Sequence, residues 1–116
     1  MTSIRQIFAS EQFRWPNGMH RAAALFSTSP EEITARTGFE FEAGVDELDH
    51  FRAISLELPS GRRVRLLWHE RAPVLGLELD IDLADDLDDA RIETMNALGI
   101  AQAELIWQPD ADASAS

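Results

Sequence analysis

The stretch Ile54-Ser55-Leu56-Glu57-Leu58-Pro59-Ser60-Gly61-Arg62-Arg63-Val64-Arg65-Leu66-Leu67-Trp68-His69 decides the fold class. Apolar side chains at 54, 56 and 58, and again at 64, 66 and 68, recur with period 2, the spacing at which a β-strand shows one face to a core. Between the two runs, Pro59-Ser60-Gly61-Arg62 supplies turn chemistry, so the stretch reads as an antiparallel hairpin. If both apolar rows share the buried face, opposed residues are Leu58 with Val64, Leu56 with Leu66 and Ile54 with Trp68. Glu57 then faces Arg65 on the other side. After Pro73 the alternation resumes at Leu75, Leu77, Leu79 and Ile81, a third strand of the same meander. These apolar residues together are the predicted sheet face of the core.

Outward from the hairpin, the period becomes helical. Beyond Asp82, the residues Leu87, Arg91, Thr94, Met95 and Leu98 lie along one helix face with Ala90 beside it, Gly99 ends the helix and Ile100 covers its last turn. A short strand over residues 103–107 follows, and strand, helix and strand make a right-handed crossover if both strands join one sheet. On the amino-terminal side, Phe39 and Phe41 alternate with Glu40 and Glu42, and Gly38 closes a helix that opens at Ser29-Pro30-Glu31-Glu32. There a hydroxyl meets free amides, proline takes the first helical position, and two carboxylates face the positive end of the dipole. Residues 19–26 read as a short helix, and Trp15-Pro16-Asn17-Gly18 as the break before it. A further helix over residues 3–13 is suggested by Ser3 and Gln6 in capping-box spacing, with Ile4, Ile7 and Phe8 on one stripe. The predicted class is α+β: a helical amino-terminal region packed on a small, mostly antiparallel sheet, with one helical crossover and a short last strand near the carboxyl end.

The composition fits one folded domain over residues 1–108, since 45% of the 116 residues are hydrophobic and 27% charged. The remainder, residues 109–116, holds no large apolar side chain and reads as a disordered tail. The absence of cysteine removes disulfides, thiolate metal sites and thiol nucleophiles together. No apolar run approaches the roughly 18 residues of a membrane span. Arg5, Glu11 and Arg14 interrupt the amino terminus where a secretory peptide would be continuously apolar, so the cytoplasm is the expected compartment.

Charge is patterned along the chain. The net formal charge of −11 divides into +1 over residues 1–38, −5 over 39–50, +3 over 51–77, −7 over 78–93 and −3 over the rest. Such a field repels nucleic acid and anionic membrane and attracts basic partners. Arg62, Arg63 and Arg65 read as a solvated edge that resists strand pairing rather than as a phosphate site.

The densest acidic segment contains Asp80, Asp82, Asp85, Asp86, Asp88 and Asp89. It fails as a calcium loop, because counting from Asp80 puts Asp85 where the sharp-turn glycine belongs and Arg91 where the bidentate glutamate belongs. Carboxylates at a helix start stabilise the helix, and those not used as caps are free to meet a partner's arginine or lysine. Asp82, Asp85, Asp86, Asp88 and Asp89 are therefore the predicted partner-binding residues. The histidines His20, His50 and His69 form no zinc pattern, and no nucleophile elbow, phosphate loop or dinucleotide fingerprint occurs. No catalytic residue, metal or cofactor is predicted. The expected function is that of a non-enzymatic acidic interaction protein, an immunity or antitoxin-like inhibitor or an adaptor, bound to a basic protein surface. Two alternatives are a small metal-dependent enzyme or ligand-binding domain using His69, Glu70 and the acid run, and a subunit of a homo-oligomeric assembly.

Overall fold

The computed structural model describes residues 4–8, 13–46, 49–72 and 74–109, and in it the quoted hairpin lies inside a larger antiparallel sheet. The described elements are β1 (Arg5–Ile7), β2 (His20–Phe26), α1 (Pro30–Thr37), β3 (Glu42–Asp46), β4 (Asp49–Glu57), β5 (Arg63–His69), β6 (Leu77–Asp82), α2 (Leu87–Leu98), a 3-10 turn (Gln102–Glu104) and β7 (Leu105–Trp107). Sheet order is β1-β4-β5-β6-β2-β7, and β3 shares with β1 the edge of β4. Each pairing among the described strands is antiparallel, so β6 and β7, both paired with β2, run parallel to one another and are joined by α2 as a crossover. The α+β class and the meander β4-β5-β6 follow from the alternation. The caps also form as the sequence dictates. Ser29 and Glu32 make a reciprocal capping box on α1, and the Asp86 side chain accepts from the Asp89 amide on α2.

Two predicted helices are strands. Residues 19–26 form β2, inserted between β6 and β7, even though Ala22-Ala23-Ala24 is a strong helix-forming run. Tertiary demand overrides propensity here, because Ala23, Ala24 and Phe26 are fully buried under the helices and a register shift between Ala22 and Ala24 lets consecutive alanines turn inward. Of the helix expected over residues 3–13, Arg5–Ile7 is the strand β1, paired with Ser55, Leu56 and Glu57, while residues 3 and 9–12 lie outside the described residues. The stripe of Ile4 and Ile7 serves a short edge strand as well as a helix. The tail from 110 onward also lies outside the described residues.

The hairpin keeps its predicted face but changes register by two residues. Leu56 opposes Val64, Ile54 opposes Leu66, Arg52 opposes Trp68 and Glu57 opposes Arg63. The cause is a tighter turn. The Gly61 N–H donates to the Leu58 carbonyl and the Leu58 N–H to the Arg62 carbonyl, each at 2.8 Å, with Gly61 at φ 90°, a conformation that costs glycine nothing. A slip of two leaves every side chain on its face. Ile54, Leu56, Leu58, Val64, Leu66, Leu77, Leu79 and Ile81 are accordingly buried, and Trp68 packs partly buried against them. Leu75 does not join them; it is 52% exposed, because β6 begins only at Leu77. Nor is β5 an edge, as β4 and β6 flank it, so the arginines beside the turn do not guard a free strand. Ile33 of α1 and Ala90, Met95 and Leu98 of α2 close the core from the helical side. No described helix is long and apolar enough to cross a membrane.

Candidate functional site

The acid run divides between the frame and the surface. Asp82, 3% exposed at the end of β6, accepts the Asn17 N–H at 2.7 Å and the Ala84 N–H at 2.9 Å, so its two oxygens fasten the Trp15–Gly18 turn to the loop before α2. Asp85 is half-buried and lies 3.6 Å from Arg62, whose guanidinium also reaches Glu93 at 2.8 Å. Burial pushes the Asp85 carboxyl up, Arg62 opposes that shift, and the charges of Asp82 and Glu93 reinforce it. Glu93 in turn accepts the Ser60 N–H at 2.9 Å and the Ser60 hydroxyl at 2.7 Å, which ties α2 to the β4-β5 turn.

The other three carboxylates point outward. Asp86 is the N-cap of α2 and is exposed; Asp88 has a 64% exposed side chain, 3.0 Å from Arg91; Asp89 is exposed as well. One turn further along the same helix stands Ile92, an aliphatic residue 50% exposed to solvent. Beside it a groove of about 460 Å³ runs between α2 and the β4-β5 turn, lined by Pro59, Asp89, Ile92, Glu93, Asn96 and Ala97. Carboxylates, an exposed aliphatic side chain and a groove thus share one surface.

His69 and Glu70 are not part of that surface. The His69 Nδ1 is 3.4 Å from Asp49, the ring is tilted against Phe51, and the Glu70 N–H donates to the His50 carbonyl. They sit at the far end of β5 from the Arg62 turn, about 20 Å away at the rise of a strand. Among the described residues, no group of three or more His, Asp or Glu side chains is arranged to hold a metal ion.

A second cluster, on the sheet face away from the helices, was not anticipated. In the β5-β6 register Arg65 opposes Asp80, and Ala22 of β2 lies on the other side of Asp80. The Arg65 guanidinium is 5.0 Å from the Phe13 ring and 5.5 Å from the Trp15 ring, and Trp15 stacks on His20 at 5.1 Å. Asp80 is 2% exposed, and its Oδ2 has no hydrogen-bond partner among the described residues. Burial pushes its carboxyl up to about 8, helped by a hydrogen bond to Glu78 and by the Glu78 charge, with Arg65 pulling the other way. The alternation that buries Leu77 and Leu79 already places Glu78 and Asp80 together on the opposite face. What it does not reveal is the aromatic cover.

Compared with known proteins, the chain matches no family model, no curated protein and no solved structure.

Proposed function

We propose that this chain is a cytoplasmic, non-enzymatic interaction protein, an inhibitor or adaptor, that binds a basic protein surface through the start of α2. The observation that carries this reading is the placement of the exposed Asp88 and Asp89 about one turn from the half-exposed Ile92, with the exposed N-cap Asp86 just before them. Carboxylates at the rim steer encounter with an oppositely charged partner, and a desolvated aliphatic anchor slows dissociation. The net charge of −11 acts in the same direction over longer range and opposes nucleic acid. Asp82 contributes by holding the loop in place, and Asp85 by fixing Arg62, rather than by touching the partner.

Affinity capture from native extract with the wild-type chain and with the Asp88→Asn/Asp89→Asn double variant tests the reading. A partner with a basic face should be retained by the wild type at low salt and lost progressively at high salt, and the variant should retain less of it at every salt concentration. Retention indifferent to both salt and substitution would end the proposal.

A further inference from the structure

The groove beside Ile92 does not stop at Ala97. A second groove of about 390 Å³ shares Pro59 and Ala97 with the first and continues past Phe39 to the carboxyl end of α1. Together they form a channel along α2 whose floor is apolar. Its charge is uneven. At the far end Arg36 is occupied by Glu104, at 2.9 Å, and near the middle Glu93 is occupied by Arg62 and Ser60. Among the described residues, the close counter-charge to the carboxylates at the start of α2 is Arg91, which is spent on Asp88. The channel therefore has an apolar floor of Pro59, Ile92, Ala97 and Phe39, a polar rim whose charges at Glu93 and Arg36 are already paired, and a negative mouth at Asp89.

We infer that this channel receives a basic amphipathic helix of a partner protein, with an aliphatic side chain packing beside Ile92, between α2 and Pro59, and an arginine or lysine one turn away meeting Asp89. The match is one of spacing as well as sign. Asp89 and Ile92 are three residues apart on α2, and a helix laid along it presents residues at i and i+4 at about the same interval. The 12 residues of α2 extend about 18 Å, room for some three turns of a partner. This inference rests on the proposed function and adds to it the shape and side-chain order of what binds.

The probe is a synthetic, alanine-based helical peptide of about 16 residues, long enough to hold a helix, with leucine and arginine repeated at i, i+4. Its binding to the full chain is followed by fluorescence anisotropy. The leucine/arginine peptide should bind, and replacing its leucines by alanine should weaken binding about tenfold or more, in keeping with the loss of one buried aliphatic side chain. Asn96→Trp, which fills the channel from an exposed rim position, should weaken it comparably while leaving the circular dichroism unchanged. Ile92→Ser, at a half-exposed position, serves as an independent second variant with the same expectation. Binding that follows the arginines and the salt but ignores leucine, Asn96→Trp and Ile92→Ser would overturn the channel and leave the acidic docking surface standing. No binding of any arginine peptide at low salt would overturn both.

Discussion

Arg65 and Asp80 face each other across β5 and β6, yet the guanidinium lies over the rings of Phe13 and Trp15 while Asp80 Oδ2 has no hydrogen-bond partner among the described residues. A buried carboxylate with an arginine in the opposing register position would ordinarily recruit it. Here burial and the neighbouring Glu78 push the carboxyl up toward its protonated form, against the pull of Arg65. The arginine is left to hold the aromatic turn against the sheet.

Stability should consequently fall as pH rises through the neutral range. The Asp80 carboxyl lies near 8 in the folded chain against an ordinary 3.8, so the folded state binds a proton that the unfolded state has released. The stabilisation is complete below about 4 and is lost as pH climbs through 8. Asp80→Asn keeps a neutral amide able to donate to Glu78. It should be nearly neutral at acid pH and stabilising by a few kcal/mol at mildly alkaline pH, at about 1.4 kcal/mol per unit of displacement. Thermal melts of both proteins at the two extremes measure this, and parallel curves would mean that Asp80 is ionised in the folded state.

The link between Arg36 and Glu104 has the opposite pH sign. Glu104 accepts from Arg36 at 2.9 Å, from the Ala101 N–H at 2.8 Å and from the Thr28 hydroxyl at 3.1 Å, and these donors hold its carboxyl down at about 2. The contribution is present above the ordinary carboxylate range and lost as pH drops through 2. With both side chains partly solvated, Glu104→Gln should cost about 1 kcal/mol near neutrality, and the difference should vanish in strong acid. Denaturant titration at the two pH values separates the cases.

Core substitutions should distinguish two neighbouring leucines. Leu77→Ala removes a fully buried side chain and should destabilise by about 2 to 5 kcal/mol, whereas Leu75→Ala, at a half-exposed position before β6, should stay within about 0.5 kcal/mol. Urea unfolding midpoints decide between them.

At the start of α2 the cap and the surface charges should separate. Asp86→Ala loses the acceptor for the Asp89 amide and should cost about 1 kcal/mol, while Asp86→Asn retains an oxygen for that bond and should cost little. Asp88→Asn and Asp89→Asn should shift the melting temperature only slightly, since each gives up just a favourable dipole interaction or an exposed pair. A large loss on Asp89→Asn would make it part of the frame instead of the docking surface.

What could be read in the sequence was whatever is decided locally. The strands around Leu56, Leu66 and Leu79 alternate strictly, and both helices carry their own caps at Ser29 and Asp86, so these elements follow from neighbouring residues alone. Strand β2 does not. Its alanines favour a helix until β6 and β7 supply partners from the far end of the chain. The two-residue change of register came from a turn geometry that alternation leaves open. In the candidate site the acids were conspicuous, but Asp82 is withdrawn by an amide 65 positions away, and the exposure of Ile92 depends on how α2 rolls onto the sheet.

The position of β2 also sets the order in which the sheet can assemble. Strands β4, β5 and β6 follow one another through short turns and can zip together as they are made. On a ribosome β2 emerges before both of its neighbours, β6 and β7, and must wait for them. Until Phe26 finds Leu77, a segment containing Ala23, Ala24 and Phe26 has nothing to cover it. Synthesis therefore proceeds from the amino terminus while closure of the sheet is governed by the carboxyl-terminal strands. Cover for Phe26 from Leu77 can form only after β6 has cleared the exit tunnel.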